Sequence, residues 1–98
     1  MWYAIICEDI DNSLPLRKAT RPAHLDYLQN LQEQGRLLTA GPFPAIDSNE
    51  PGENGFSGSL IIAEFDSLAV AEDWANNDPY QVKGVFKKVT IKPYKKVF

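Results

Sequence analysis

From Trp2 to about Glu8 the chain is apolar on both faces that a strand would present: Trp2, Ala4 and Ile6 alternate with Tyr3, Ile5 and Cys7. A strand of that kind is central in its sheet and covered on both sides. Asp9, Asp11, Asn12 and Ser13 break it. A turn over Leu14 to Lys18 follows, and Pro22 disfavours helical geometry at Arg21, so the first long helix is expected to start near Thr20. Leu25, Leu28 and Leu31 recur along it at helical spacing, and Gly35 is its expected stop. A second strand, Leu37 to about Ala40, runs into Gly41-Pro42, and a long polar loop with four more glycines and prolines reaches Gly55, a length typical of lids and arms.

The third strand, about Ser57 to Phe65, is again apolar on both faces, with Leu60 and Ile62 on one and Ile61, Ala63 and Phe65 on the other. Asp66 and Ser67 are capping residues for a second helix whose buried side carries Leu68, Ala71, Trp74 and Ala75 and which ends before Asp78-Pro79-Tyr80. The last strand, about Val85 to Lys92, sets Val85, Val89 and Ile91 against Lys88, Thr90 and Lys92, the pattern of a half-exposed edge. Strand, helix, strand, strand, helix, strand is the ferredoxin-like α+β arrangement: a four-stranded antiparallel sheet in spatial order 4-1-3-2. It places the two doubly apolar strands at the centre. At 98 residues the chain is expected to be a single domain over 1–98.

Two helices cover one face of such a sheet. The other face keeps several large apolar side chains, and leaving hundreds of Å² of them in water is costly at about 25 cal/mol per Å². A homodimer through the sheet faces, closed by a twofold axis, is the expected cover, making a dimeric α+β barrel.

Charge is unevenly spread. The first 78 residues hold all 13 acidic side chains and four basic ones, whereas the last 20 hold six lysines and no acid. The acidic majority would repel phosphate, and no aromatic-basic signature accompanies the lysines, so nucleic acid is not an expected partner. Lysines on an edge strand protect it against aggregation. No run approaches the roughly 18 apolar residues of a membrane span, and no leader-like stretch opens the chain, so the expected setting is cytoplasmic. Cys7 is the single cysteine and reads as a small buried hydrophobe; neither a disulfide nor metal-ligand spacing is available, and no metal or cofactor is expected.

His24 is the single histidine. On the expected helix it borders the buried stripe one turn from the start, where the helix dipole favours a neutral ring and hence a usable general base. A carboxylate would fix its tautomer. Asp78, at the end of the second helix, and Asp9, just after the first strand, both qualify, and spacing does not decide between them. Arg21, one turn before the histidine, suits an anionic group of a ligand, and Ser59 offers a hydroxyl; with Asp9 they complete the candidate substrate-binding set.

Arg21-Pro22-Ala23-His24-Leu25, then Arg36-Leu37-Leu38-Thr39-Ala40-Gly41-Pro42, Ala71 to Trp74, Asp78-Pro79-Tyr80, Gly84-Val85 and the closing Lys92-Pro93-Tyr94-Lys95-Lys96-Val97-Phe98 together resemble the YciI-like family across the whole chain. That family belongs to the dimeric α+β barrel superfamily, whose members include muconolactone isomerase, cofactor-free monooxygenases and a dehydrochlorinase of chlorinated hydroquinones. The resemblance implies that His24 and Asp78 are the candidate catalytic pair and that the ligand is small and ring-like with an acidic proton. It fits a cofactor-independent lyase or isomerase. A non-catalytic module binding a small molecule or a protein partner on the same barrel is the alternative.

Overall fold

A computed structural model describes residues 1–98. Strand β1 (Trp2–Asp9) is followed by helix α1 (Leu14–Glu33), strand β2 (Leu37–Pro44), a 3₁₀ turn (Gly52–Asn54), strand β3 (Phe56–Glu64), helices α2 (Leu68–Asn76) and α3 (Pro79–Val82), and strand β4 (Phe86–Tyr94). The sheet order is β2-β3-β1-β4, with every neighbouring pair antiparallel. This is the expected ferredoxin-like α+β fold, with the two doubly apolar strands in the middle.

The pleat sorts the side chains of the central strands. Tyr3, Ile5 and Cys7 of β1 and Ile61 and Ala63 of β3 are buried beneath the helices, where they join Leu28 and Leu31 of α1 and Ala71 and Ala75 of α2. The opposite face carries Trp2, Ala4 and Ile6, and beside them Leu60 and Ile62. No helix lies over these five, of which Ile62 is already buried and the other four are half-buried. Ile6 and Leu60 pair directly across the two central strands.

Helix α1 begins six residues earlier than the proline suggested and runs through Pro22 without a break. Ser13 occupies the N-cap and Pro15 the first turn, where a missing amide costs nothing. Pro22 removes one amide bond to the Lys18 carbonyl, but Lys18, Ala19, Arg21, Pro22 and Ala23 are all solvent-exposed, so water replaces it. Gly35, at φ 69°, ends the helix as expected. Leu25 departs from the buried stripe and is 42% exposed, and Leu68 of α2 is likewise exposed.

Strand β2 extends past Gly41-Pro42 to Pro44, which shortens the expected loop. Prolines are tolerated there because β2 is an edge strand, with one side free of a partner. The Asp78-Pro79-Tyr80 segment also differs from a plain terminating turn. It opens α3, with Asp78 as N-cap accepting from the Tyr80 amide at 2.9 Å and Pro79 in the first turn.

Candidate functional site

One face of α1 presents Leu14, Arg17, Lys18, Arg21, His24 and Leu28; each has another of the set three or four residues away, which keeps them on one side of the helix. Opposite them lie Ala40, Gly41 and Pro42 of β2, Phe56, Ser59 and Ile61 of β3, and Tyr80 of α3. Between these walls is a cavity of about 410 Å³. That volume accommodates a single-ring molecule.

His24 is 7% exposed and lines this cavity. Its Nδ1 lies 2.8 Å from Oδ1 of Asp78, so the open choice of carboxylate falls to Asp78. Asp78 is 2% exposed, and the same oxygen accepts the Tyr80 amide. An ionised carboxylate only accepts, so Nδ1 donates to it, and in the neutral ring that tautomer leaves the lone pair on Nε2. The His24 ring stacks on Tyr80, with centroids 3.9 Å apart and planes 16° apart. Because α1 starts at Leu14, His24 sits in mid-helix and the helix-dipole argument for a neutral ring does not apply. Its orientation comes from Asp78 and Tyr80 instead.

Asp9 serves another partner. Arg17 donates from Nε to Oδ2 at 2.6 Å and from Nη2 to Oδ1 at 3.0 Å, and Ser13 donates to Oδ2 at 2.5 Å. Nη2 of Arg17 also reaches the Gly58 carbonyl at 2.9 Å and the Ser59 hydroxyl at 2.8 Å. The two charged side chains are almost fully enclosed, at 6% and 1% exposure. Such a pair is tolerated in the interior when, as here, hydrogen bonds satisfy both partners. Asp9 thus stands behind Arg17 and outside the cavity wall, whereas Ser59, buried, and Arg21, exposed, both line it.

Arg17 is the site residue that the sequence reading missed. Its signal was present: Arg17, Arg21, His24 and Leu28 follow steps of four, three and four, but only if the helix is extended back through Pro22 to Ser13. Gly58 is a second. A Cβ there would collide with the Cys7 carbonyl oxygen, so only glycine lets β3 approach β1 next to the arginine.

Burial pushes the Cys7 thiol up to about 12, reinforced by the Asp78 and Asp9 carboxylates and opposed by Arg17. Cys7 is therefore a protonated core residue, not a nucleophile. Burial likewise raises the Tyr80 phenol, against the opposing charges of Arg17 and Arg21.

The fold and site define a class: an α+β protein with a ring-sized cavity beside a buried histidine–aspartate pair. Within that class the chain belongs to the YCII-related domain family, which matches residues 1–95. It is 56% identical to Protein YciI of Escherichia coli O6:H1 over 98 residues, the full length of both chains. It is 53% identical to an uncharacterized protein of Haemophilus influenzae, again over the full length of both. The protein named Derivative of benzaldehyde biosynthesis cluster protein C, of Emericella nidulans, is 33% identical over 78 residues, 79% of this chain and 76% of that one. Among solved structures, 5-chloro-2-hydroxyhydroquinone dehydrochlorinase of Burkholderia phenoliruptrix AC1100, in complex with 2,5-dihydroxybenzoquinone, superposes with a TM-score of 0.85 at 26% identity, covering 97% of this chain and 94% of that one. No helix of this protein is long and apolar enough to cross a membrane.

Proposed function

We propose that this protein is a cofactor-independent lyase or isomerase that moves a proton on a small ring-like substrate. The observation that carries the reading is the 2.8 Å contact between His24 Nδ1 and Asp78, made by a ring that also lines the cavity. With Nδ1 engaged, Nε2 is the nitrogen left to meet a guest.

In the proposed step, Nε2 takes a proton from an acidic C–H or O–H of the substrate and the ring becomes imidazolium, steadied by the Asp78 carboxylate. The electron pair left behind moves into the ring system. In an isomerisation the imidazolium returns the proton at another atom; in an elimination the pair expels a leaving group from the adjacent carbon. Ser59 and Arg21 position the substrate, and Arg17, locked by Asp9, holds the Ser59 hydroxyl in place. The structural likeness to a dehydrochlorinase supports elimination, since loss of hydrogen chloride begins or ends with such a proton transfer.

A second copy of the chain is proposed to cover the open face formed by Trp2, Ala4, Ile6, Leu60 and Ile62, pairing sheet to sheet as a homodimer. This would leave the cavity, on the helical side, accessible in each copy.

The test is His24→Asn, which keeps the shape and a hydrogen bond to Asp78 but removes the base. Substrates would be sought among hydroxylated and chlorinated quinones and hydroquinones. With a turned-over substrate in hand, kcat should fall by about 10²- to 10⁴-fold while binding persists. Undiminished turnover in the variant would overturn the assignment.

A further inference from the structure

We infer that the cavity binds its ligand as an anion, with the negative group held at the rim by Lys18 and Arg21 and the flat apolar body laid against Leu25, Leu28 and Ile61. The inference rests on the cavity's being the substrate pocket, and it names the ligand class that the pocket selects.

The argument starts from where the basic side chains are. Residues 1–78 contain four, and three of them, Arg17, Lys18 and Arg21, line this one cavity. No aspartate or glutamate lines it, although the chain as a whole carries net charge −3. Arg17 is already neutralised by Asp9 at 2.6 Å. Lys18 and Arg21 are different: both are exposed, and neither has a carboxylate within salt-bridge distance. Of the two buried site carboxylates, Asp9 is spent on Arg17 and Ser13, and Asp78 spends one oxygen on the His24 ring and the Tyr80 amide. Two uncompensated cations over a cleft with apolar walls focus a positive potential into it.

Placement adds a second line. Lys18 and Arg21 are one turn apart on α1, and His24 is the next turn along the same face. A rigid ring with its charge at the rim therefore extends toward the imidazole. Withdrawal of charge toward the two cations would also favour the electron-rich species that forms when His24 removes a proton.

The experiment compares two probes built on one quinone ring by calorimetry at pH 7.5: 2,5-dihydroxybenzoquinone, which is anionic there, and its neutral dimethyl ether. The wild-type protein should bind the anion at least tenfold more tightly, and added salt should weaken only that probe. The double variant Lys18→Gln/Arg21→Gln should lose about tenfold in affinity for the anion and little for the ether. The charge-keeping variant Lys18→Arg/Arg21→Lys should preserve the preference, which separates charge from a folding defect. Equal or tighter binding of the ether, failure of both probes to bind, or a preference that survives the Gln variant would overturn the inference. Binding is read without turnover, so its failure leaves the proton-transfer role of His24 to be judged by His24→Asn, and the reverse also holds.

Discussion

The imidazole of His24 lies flat against the ring of Tyr80, 3.9 Å from centroid to centroid. The guanidinium of Arg17 approaches the same tyrosine at 4.9 Å, and Phe86 meets it edge-on at 5.8 Å. Tyr80 thus joins the histidine–aspartate pair to the buried arginine–aspartate pair, and its amide shares with His24 the oxygen of Asp78. One short helix, α3, thereby fixes both charged clusters.

Tyr80→Phe keeps the stack and should alter stability by less than about 1 kcal/mol. Tyr80→Ala removes a ring that is 3% exposed, and should cost on the order of 3–5 kcal/mol in chemical denaturation. Equal stability of the two variants would show that the ring does not organise the site.

The Arg17–Asp9 pair should behave as a unit. Asp9→Ala strands a buried guanidinium and should destabilise by about 3–5 kcal/mol. The double substitution Asp9→Ala/Arg17→Met should cost clearly less than the sum of the single ones, because each single variant buries a lone charge and the double variant buries none. Additive effects in a double-mutant cycle would contradict the coupling.

Much of this architecture was legible from residues 1–98, and the failures have a common cause. The doubly apolar patterns of β1 and β3 pointed to central strands because burial on both faces leaves no polar alternation. Prolines misled. Pro22, read as a boundary, hid the first turns of α1 and with them Arg17; Pro42 and Pro44 hid the end of β2; Pro79 hid α3. In each case the backbone amide that proline lacks would have faced water, a free edge or a helix start, and alternation of side chains along the chain does not report that. Residue spacing did not decide between Asp78 and Asp9, although the family resemblance pointed to Asp78. The choice depends on Arg17, itself overlooked, which claims Asp9.

The open sheet face gives a prediction about assembly. Leu60→Asp places a charge opposite Ile6 at the centre of that face. Sedimentation should show a dimer for the wild-type protein and a monomer for the variant. A wild-type monomer at micromolar concentration would contradict the proposed pairing.

Two weak acids, the buried Cys7 and the half-buried Tyr27, set a limit at high pH. Each has its native value raised to about 12, from 9.0 and 10.0, mainly by burial. Both are neutral when protonated, and the native state holds the proton more tightly than the unfolded chain. Their contribution to stability is therefore whole below pH 9 and is lost progressively between 9 and 12. Urea midpoints should fall across that window. At pH 8 the single thiol should resist a disulfide reagent in the native protein and react once the chain is unfolded; rapid native reaction would contradict the burial.

The central claim is that Asp78 fixes the His24 tautomer with Nε2 bare toward the cavity. Because the chain has one histidine, long-range ¹H–¹⁵N correlation on histidine-labelled protein reports that tautomer without assignment. For the neutral ring, the account predicts a protonated Nδ1 and an unprotonated Nε2, with the preference lost in Asp78→Ala. A native spectrum with the proton on Nε2 would contradict it.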